Sequence, residues 1–550
     1  MSKIKIFSLG GLNENGKNMY VINVDKDIFI FDAGLKYDND QKLGIDYIIP
    51  NFDYLIKNEK NIKGIFLTHG HEGNMGAVPD ILDKLPNIPV YGTKLTLEIV
   101  KDDLTPEQIK KSKLIEIKPH NKLNFGKNSV FPISVTHSIP DAVCYVLYTP
   151  DGAIVYTGDF VFDSTMMGAY KTDIGKLAYV GKQGVLCLLS ESMYADHPGH
   201  TSPNNRVSEF IQEVLNKNEN RIIATILPAH FYRIQEIFNE VSKTHRKLVI
   251  MGKALQDMIN RALDEGYLTI DKSKIGSLSD LELKDTVVLI SDEKEKPFAN
   301  LERIIKGYDK YIKIKETDTI FITEPSYAGI EQRTAIIMDD IAMLGANAVN
   351  LSSKKHLLHH ASREDLMLMI NLMNPKYYFP VKGEYRNQYA NGEIAEELGI
   401  PRENIILKEN GDVFELVKGK DTHSKEHIEV DEILIDGKSQ NDVGDLVLKD
   451  REMLGENGIV IISATLDYQT KEILGGPEIL TRGFIYVKES QDLLEETKEL
   501  SRKIIEENIE PNNKRLDYSK IKNEVRDVLG KFFYKETGSK PMIITVIQEI

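Results

Sequence analysis

Tryptophan is absent from these 550 residues, and cysteine occurs only twice. Two thiols cannot form the disulfide framework of a small secreted scaffold. Cys144 and Cys187 both sit in apolar, strand-like runs, at 142–147 and 184–189, and so read as buried free thiols in a reducing compartment. No stretch of about 18 apolar residues occurs either, and the apolar segment at the N-terminus is too short for a secretory signal. These shortages predict a soluble, cytoplasmic chain with no membrane association. Positive charge is also in deficit: 69 lysines and arginines face 84 acids, a net charge of -15. Phosphate contacts come from cations, so such a field excludes nucleic-acid binding by overall attraction and confines any RNA or DNA site to a local channel.

A chain this long exceeds one hydrophobic core, and its 41% hydrophobic content can fill roughly three domains. The first 200 residues read as short strands and hairpins, at 3–7, 18–24 and 27–32 among others, separated by Gly and Asn turns. From about residue 184 the pattern becomes a strict alternation. Strands are expected at 185–189, 222–227, 248–251, 286–291 and 319–323, and helices at 207–215, 234–241 and 330–344. The helix at 207–215 places Val207, Phe210, Ile211, Val214 and Leu215 on one face. Such a run predicts a parallel sheet covered by helices. Residues 421–445 turn polar and acidic, as a linker would. A last unit shows strands at 458–464, 483–487 and 542–547, a helix at 493–509, and another with Ile521, Val525, Val528, Leu529 and Phe532 on one face.

The candidate chemistry begins at Thr68-His69-Gly70-His71-Glu72-Gly73-Asn74, directly after an apolar strand. Two histidines at i, i+2, joined by a third further along, can clasp a cation through imidazole nitrogens. His137, Asp159 and Asp32 each close a further apolar run. Any one of these residues by itself is most simply a loop polar group satisfying backbone. Their order, each at a strand end, points instead to a metal cage. His69-Gly70-His71 opens an H-x-H-x-D-H two-metal signature, and Gly73 and Asn74 stand where its Asp and closing His belong.

Over essentially its whole length the chain resembles ribonuclease J, a β-CASP nuclease of metallo-β-lactamase fold. The residues that carry the resemblance are Gly10-Gly11-Leu12-Asn13-Glu14-Asn15-Gly16-Lys17-Asn18, Thr157-Gly158-Asp159-Phe160 and His356-Leu357-Leu358-His359-His360-Ala361-Ser362. Pro380-Val381-Lys382-Gly383-Glu384, Gly475-Gly476-Pro477-Glu478 and Arg482-Gly483-Phe484 add to them. The resemblance implies an α/β protein: a metallo-β-lactamase αββα sandwich at 1–205 and 353–420, an inserted β-CASP α/β domain at 206–352, a linker at 421–449 and a small C-terminal α/β domain at 450–550. It assigns His69, His71, His137 and Asp159 to a first ion, with Asp159 bridging to a second. The other ligands of that second ion would stand at Gly73, Asn74 and Lys382, where a hydrogen, a neutral amide and an ammonium are poor or repelling partners for zinc or manganese. His360 is implied to bind or protonate the scissile phosphate's leaving oxygen and Glu191 to be the acidic β-CASP position. The segment His356, Leu357, Leu358, His359, His360, Ala361 and Ser362 would border the RNA. The three histidines at 356, 359 and 360 also suit a cationic edge for RNA backbone, which needs no chemistry.

Two further departures weaken phosphate recognition: Ser291-Asp292-Glu293-Lys294-Glu295-Lys296-Pro297 replaces a small Gly- and Ser-containing loop, and Tyr232 stands where the family has His. The expectation is a pocket with no tightly bound ion, Lys382 pairing with Asp159, and weak occupancy by one zinc or manganese as the alternative. The chain resembles the degenerate second paralogue of some Gram-positive bacteria, which implies a weakly active or inactive subunit joined to an active ribonuclease J paralogue in a hetero-oligomer, with RNA as the other partner and a homodimer also open. The competing reading is an active 5'-to-3' exoribonuclease or endoribonuclease on a remodelled or single-metal site. A small-molecule lactamase or glyoxalase is disfavoured, because an inserted domain would cover the mouth of its site.

Overall fold

The computed structural model describes residues 2–37, 44–292, 298–327, 329–437, 445–485, 490–509 and 516–550. It divides into two compact units, one of residues 1–39 and 47–433, the other of residues 40–46 and 434–550.

Two mixed sheets form the base of the first unit. The eight-stranded sheet runs Lys420–Asp421, Phe414–Val417, Lys3–Gly10, Met19–Val24, Asp27–Phe31, Ile62–Phe66, Pro89–Gly92 and Lys113–Glu116 in spatial order. The six-stranded sheet runs Tyr377–Val381, Val185–Glu191, Gly152–Tyr156, Val143–Thr149, Asn128–Ser134 and Leu123–Phe125. A single buried cluster lies where alternating residues of both sheets meet, with Phe29, Phe31 and Phe66 from one and Tyr145, Tyr156 and Phe379 from the other. Phe31 stacks on Phe66 at 5.6 Å between ring centroids. The outer side of the six-stranded sheet is covered by the helices Ile174–Gln183 and Arg363–Met373 through Leu177, Val180, Leu366, Met369 and Met373. This is the expected αββα sandwich. Val185–Glu191, the first strand of the alternating run, pairs in parallel with Gly152–Tyr156 and Tyr377–Val381 as part of the sandwich.

The inserted domain is a five-stranded sheet, in order Lys247–Met251, Thr286–Ser291, Ile222–Ile226, Thr319–Ile322 and Asn347–Asn350, every neighbouring pair parallel. Its central strands are buried on both faces, which is why they read as continuous apolar runs. The expected stripe of the helix Ser208–Lys217 buries Ile211, Val214 and Leu215, while Val207 lies one residue before it. Helix Lys253–Asp264 buries Leu255, Ile259 and Ala262 at i, i+4, i+7.

The second unit has a three-stranded sheet, Ile473–Arg482, Ile459–Leu466 and Met542–Glu549 in spatial order, with helices Gln491–Glu507 and Tyr518–Thr537. Ile521, Val525, Leu529 and Phe533 pack on Val460, Ile462 and Leu466. The strand expected at 483–487 is displaced: pairing with Ile459–Leu466 is made by Ile473–Arg482. Residues 486–487 of that expectation lie outside the described residues, as do 438–444 of the linker and 293–297 of the acidic loop. Among the described residues no helix is long and apolar enough to cross a membrane.

Candidate active site

Three strand ends aim one histidine pair, one histidine and one acid into the same cleft. Ile62–Phe66 leads to His69 and His71, Asn128–Ser134 to His137, and Gly152–Tyr156 to Asp159. A donor atom from each of the four lies within 4.8 Å of the others. Ring centroids of the three imidazoles are 4.6 to 4.8 Å apart. Burial, followed by the neighbouring histidines, pushes all three far below the usual histidine range, so they are neutral and keep a lone pair for a cation. His137 Nδ1 donates to the His359 carbonyl at 2.7 Å, which turns its Nε2 inward. His69 Nδ1 pairs with Thr68 Oγ1 at 2.9 Å, and its Nε2 is buried without a hydrogen-bond partner. Asp159 Oδ1 is also buried, and neither atom has a hydrogen-bond partner among the described residues. These orphaned atoms and this donor set fit a single ion.

The opposite half of the cleft does not fit one. Lys382, 8% exposed, donates its Nζ to Asp159 Oδ2. Burial alone would raise Asp159, but the Lys382 ammonium, then His360 and His69, hold it well below the usual carboxylate range. Gly73 offers only backbone, and its carbonyl accepts from Asn18 N at 3.1 Å and Nδ2 at 2.9 Å. Asn74 gives its Nδ2 to Asp32 Oδ2 at 2.7 Å. Asp32 lies outside the donor cluster and anchors the loop beneath it, accepting also from Thr68 N at 2.8 Å and Tyr156 OH at 2.8 Å. Burial pushes Asp32 up to about 7.

Beside Asp159, His360 Nδ1 lies 2.8 Å from Glu191 Oε2, and Glu191 Oε1 accepts from Phe160 N at 2.8 Å and Ala361 N at 3.2 Å. Leu358, His359 and His360 line the cleft. Four of the expected bordering residues do not: Ala361 is fully buried, its backbone N–H on Glu191. His356 packs on Phe210 at 5.5 Å between ring centroids, and Leu357 is buried away from the cleft. Ser362 caps the helix Arg363–Met373 and hydrogen-bonds Thr201 at 2.7 Å. A residue that sequence reasoning missed is His230, which follows the strand Ile222–Ile226 and lines the cleft. Its Nε2 is 3.3 Å from His359 Nδ1 and its Nδ1 2.5 Å from Glu324 Oε1. The rule that singled out His137, a polar residue just past an apolar strand, would have found it. Tyr232 stands edge-on to His359 at 4.9 Å.

A sandwich with a histidine-rich cleft at its strand ends and an inserted parallel α/β domain defines a metallo-β-lactamase-fold hydrolase with a β-CASP insertion. Family models agree: the metallo-beta-lactamase superfamily matches residues 12–184, the ribonuclease J beta-CASP domain 219–341, the Zn-dependent metallo-hydrolase RNA specificity domain 351–406 and the ribonuclease J C-terminal domain 446–550. "Ribonuclease J2" of Bacillus subtilis is 40% identical over 100% of this chain and 99% of its own length. "Ribonuclease J 2" of Staphylococcus epidermidis is 38% identical over 100% and 98%. A solved protein of unknown function from Enterococcus faecalis shares the fold at a TM-score of 0.54 and 18% identity, covering 76% of this chain and all of its own. The chain belongs to the ribonuclease J family, on the side of its second paralogue.

Proposed function

We propose that this chain is a ribonuclease J-type subunit of RNA decay and maturation whose two-metal site is degenerate, and that it works as a weakly active or inactive partner of an active paralogue in the cytoplasm. The observation that carries this reading is the Lys382 ammonium on Asp159, where a bridged second ion would need that carboxylate. An ion held by His69, His71, His137 and Asp159 would supply Lewis-acid polarisation of a phosphoryl oxygen. In the absence of second-ion ligands at Gly73 and Asn74, this chain's own contribution to hydrolysis is limited to His360, held by Glu191 in reach of Asp159, as a proton donor to a leaving oxygen. Leu358, His359 and His360 then serve chiefly to seat RNA beside the cleft. The domain limits 1–205, 206–352, 353–420, 421–449 and 450–550 are part of the same proposal.

The unpartnered His69 Nε2 and Asp159 Oδ1 favour a second reading, an active exoribonuclease or endoribonuclease on one ion. Purified protein assayed with manganese on 5'-monophosphorylated RNA separates the two. The subunit reading expects less than one equivalent of bound zinc or manganese, little cleavage, and co-purification of an active paralogue from the native host. Two tightly held ions, or cleavage abolished by His69→Ala and Asp159→Ala, would overturn it.

A further inference from the structure

In a chain of net charge -15, residues 303–315 carry five lysines and arginines against one acid, with two tyrosines among them. The helix Ala299–Ile305 ends at Gly307, whose φ of 72° lets its N–H reach the Ile304 carbonyl at 3.0 Å, and the chain then turns. Asp309, 5% exposed, pins that turn. Its Oδ1 accepts from Tyr311 N at 2.8 Å and Ile312 N at 3.1 Å, and its Oδ2 takes Arg303 Nη2 at 3.0 Å, so the segment's acid is already matched. Ile304 and Ile312 are buried on either side of it, which leaves Tyr308 78% and Tyr311 54% exposed. Lys310 Nζ stands 4.5 Å from the Tyr311 ring centroid. With Lys253 and Gln256 these side chains line an open basin of about 490 Å³ at the carboxyl ends of Lys247–Met251 and Thr286–Ser291. Lys253 and Lys306 are exposed and have no ion-pair partner among the described residues.

We propose that this basin is a second contact for single-stranded RNA, beside the cleft, with a base stacked on Tyr308 or Tyr311 and phosphates on Lys253, Lys306 and Lys310. The inference rests on the reading of this chain as a subunit that seats RNA. Exposed rings set between cations match what a single strand offers, π faces and phosphates alternating along one chain. An acidic peptide would use the cations and leave the tyrosines idle, and a duplex keeps its bases stacked on one another. The pinned turn holds both rings outward before any ligand arrives, which lowers the ordering cost of binding. Position joins the basin to the cleft. Every neighbouring pair in the inserted sheet is parallel, so the carboxyl ends of its strands share one edge. From that edge Leu227 and His230, which follow Ile222–Ile226, line the cleft. Thr286–Ser291 is the direct neighbour of Ile222–Ile226, and Lys247–Met251 comes next. The basin therefore lies one to two strand spacings, about 5–10 Å across the sheet, from the strand that feeds the cleft. One RNA strand can touch both.

Fluorescence anisotropy of the full chain with a labelled oligoadenylate dodecamer and with an RNA duplex of the same length, in chelator so that no cleavage intervenes, tests it. Tyr308→Ala combined with Tyr311→Ala, with circular dichroism unchanged, should weaken single-strand binding about tenfold or more and leave duplex binding as it was. Lys253→Ala combined with Lys310→Ala should make the slope of log affinity against log salt shallower by about 1.4, the share of two phosphate contacts on a single strand. Full single-strand affinity in the folded tyrosine variant, an equal loss on the duplex, an unchanged salt slope, or an oligoglutamate peptide that competes as well as the RNA overturns the proposal and leaves the subunit reading standing. A parent chain that binds neither RNA overturns both.

Discussion

Removing the ammonium from the cleft is the sharpest perturbation available. Lys382→Met keeps an unbranched apolar stem one atom shorter but deletes the charge that neutralises Asp159, itself 2% exposed and beside neutral imidazoles. Breaking a buried pair by deleting one partner costs about 3–5 kcal/mol, because the remaining charge is left uncompensated. For a cooperative unit of the size of residues 1–39 and 47–433, with about 2.1 cal/mol/K of unfolding entropy per residue, that is a fall of about 3–6 °C in Tm. The orphaned carboxylate and three imidazoles then form a stronger cation site, so manganese at a hundredfold above its Kd should return about 2.7 kcal/mol. Scanning calorimetry in chelator and in manganese checks both halves. The parent chain should be indifferent to chelator, whereas Lys382→Met should melt early in chelator and recover with metal. A variant as stable as the parent in chelator, or a parent that itself loses stability there, refutes the argument that Lys382 occupies the place of an ion.

Three other outcomes are expected. Gly73→Asp, Asn74→His and Lys382→His combined should bind a second metal equivalent and raise RNA cleavage at least tenfold. A Cβ at Gly73 meets nothing nearer than Gly16 Cα at 3.6 Å, so no gain in a folded triple variant would place the limiting defect elsewhere. In that triple variant His360→Ala should reduce cleavage about 10²-fold or more without changing the metal content, and equal loss of metal would assign His360 a ligand role instead. Glu432, against the upward push of partial burial, is held at about 2 by hydrogen bonds and charge from Lys17 and Lys36. A depressed carboxylate stabilises the folded chain fully above its unfolded pKa of about 4.5 and ceases to do so as pH falls through about 2. Because Glu432 is more than a third exposed, screening reduces the effect, and Glu432→Gln should cost about 1 kcal/mol in urea unfolding at pH 7. The gap to the parent should close toward pH 2; a constant gap would mean that the loss is not electrostatic.

Local pattern was enough wherever the physics is local. The buried strands Ile62–Phe66 and Gly152–Tyr156 were legible as apolar runs, and the polar residue after each marked a site position, because a strand's end is where a sheet exposes side chains to a ligand; Ile222–Ile226 was equally legible, but His230 after it was passed over. The helix stripe at Ile521, Val525 and Leu529 was legible for the same reason: period 3.6 is written in the chain. Where periodicity is ambiguous the reading slipped. The run 185–191 is as apolar as the inserted strands, so periodicity alone does not separate it from them; its partners are Gly152–Tyr156 and Tyr377–Val381 of the sandwich. The strand Ile473–Arg482 carries Gly475, Gly476 and Pro477, which masked it, while pairing with Ile459–Leu466 stabilises it regardless.

Chemical identity therefore came from the one-dimensional order of residues: three histidines and an aspartate in the right succession, with glycine, amide and lysine at the other ligand positions. Proximity did not. That His230 reaches His359, and that Glu324 keeps an oxygen with no hydrogen-bond partner among the described residues, follow from how separate strand ends converge. Sequence sets which groups are available; long-range packing sets which of them share a low-dielectric space, and that sharing determines their charge and their partners.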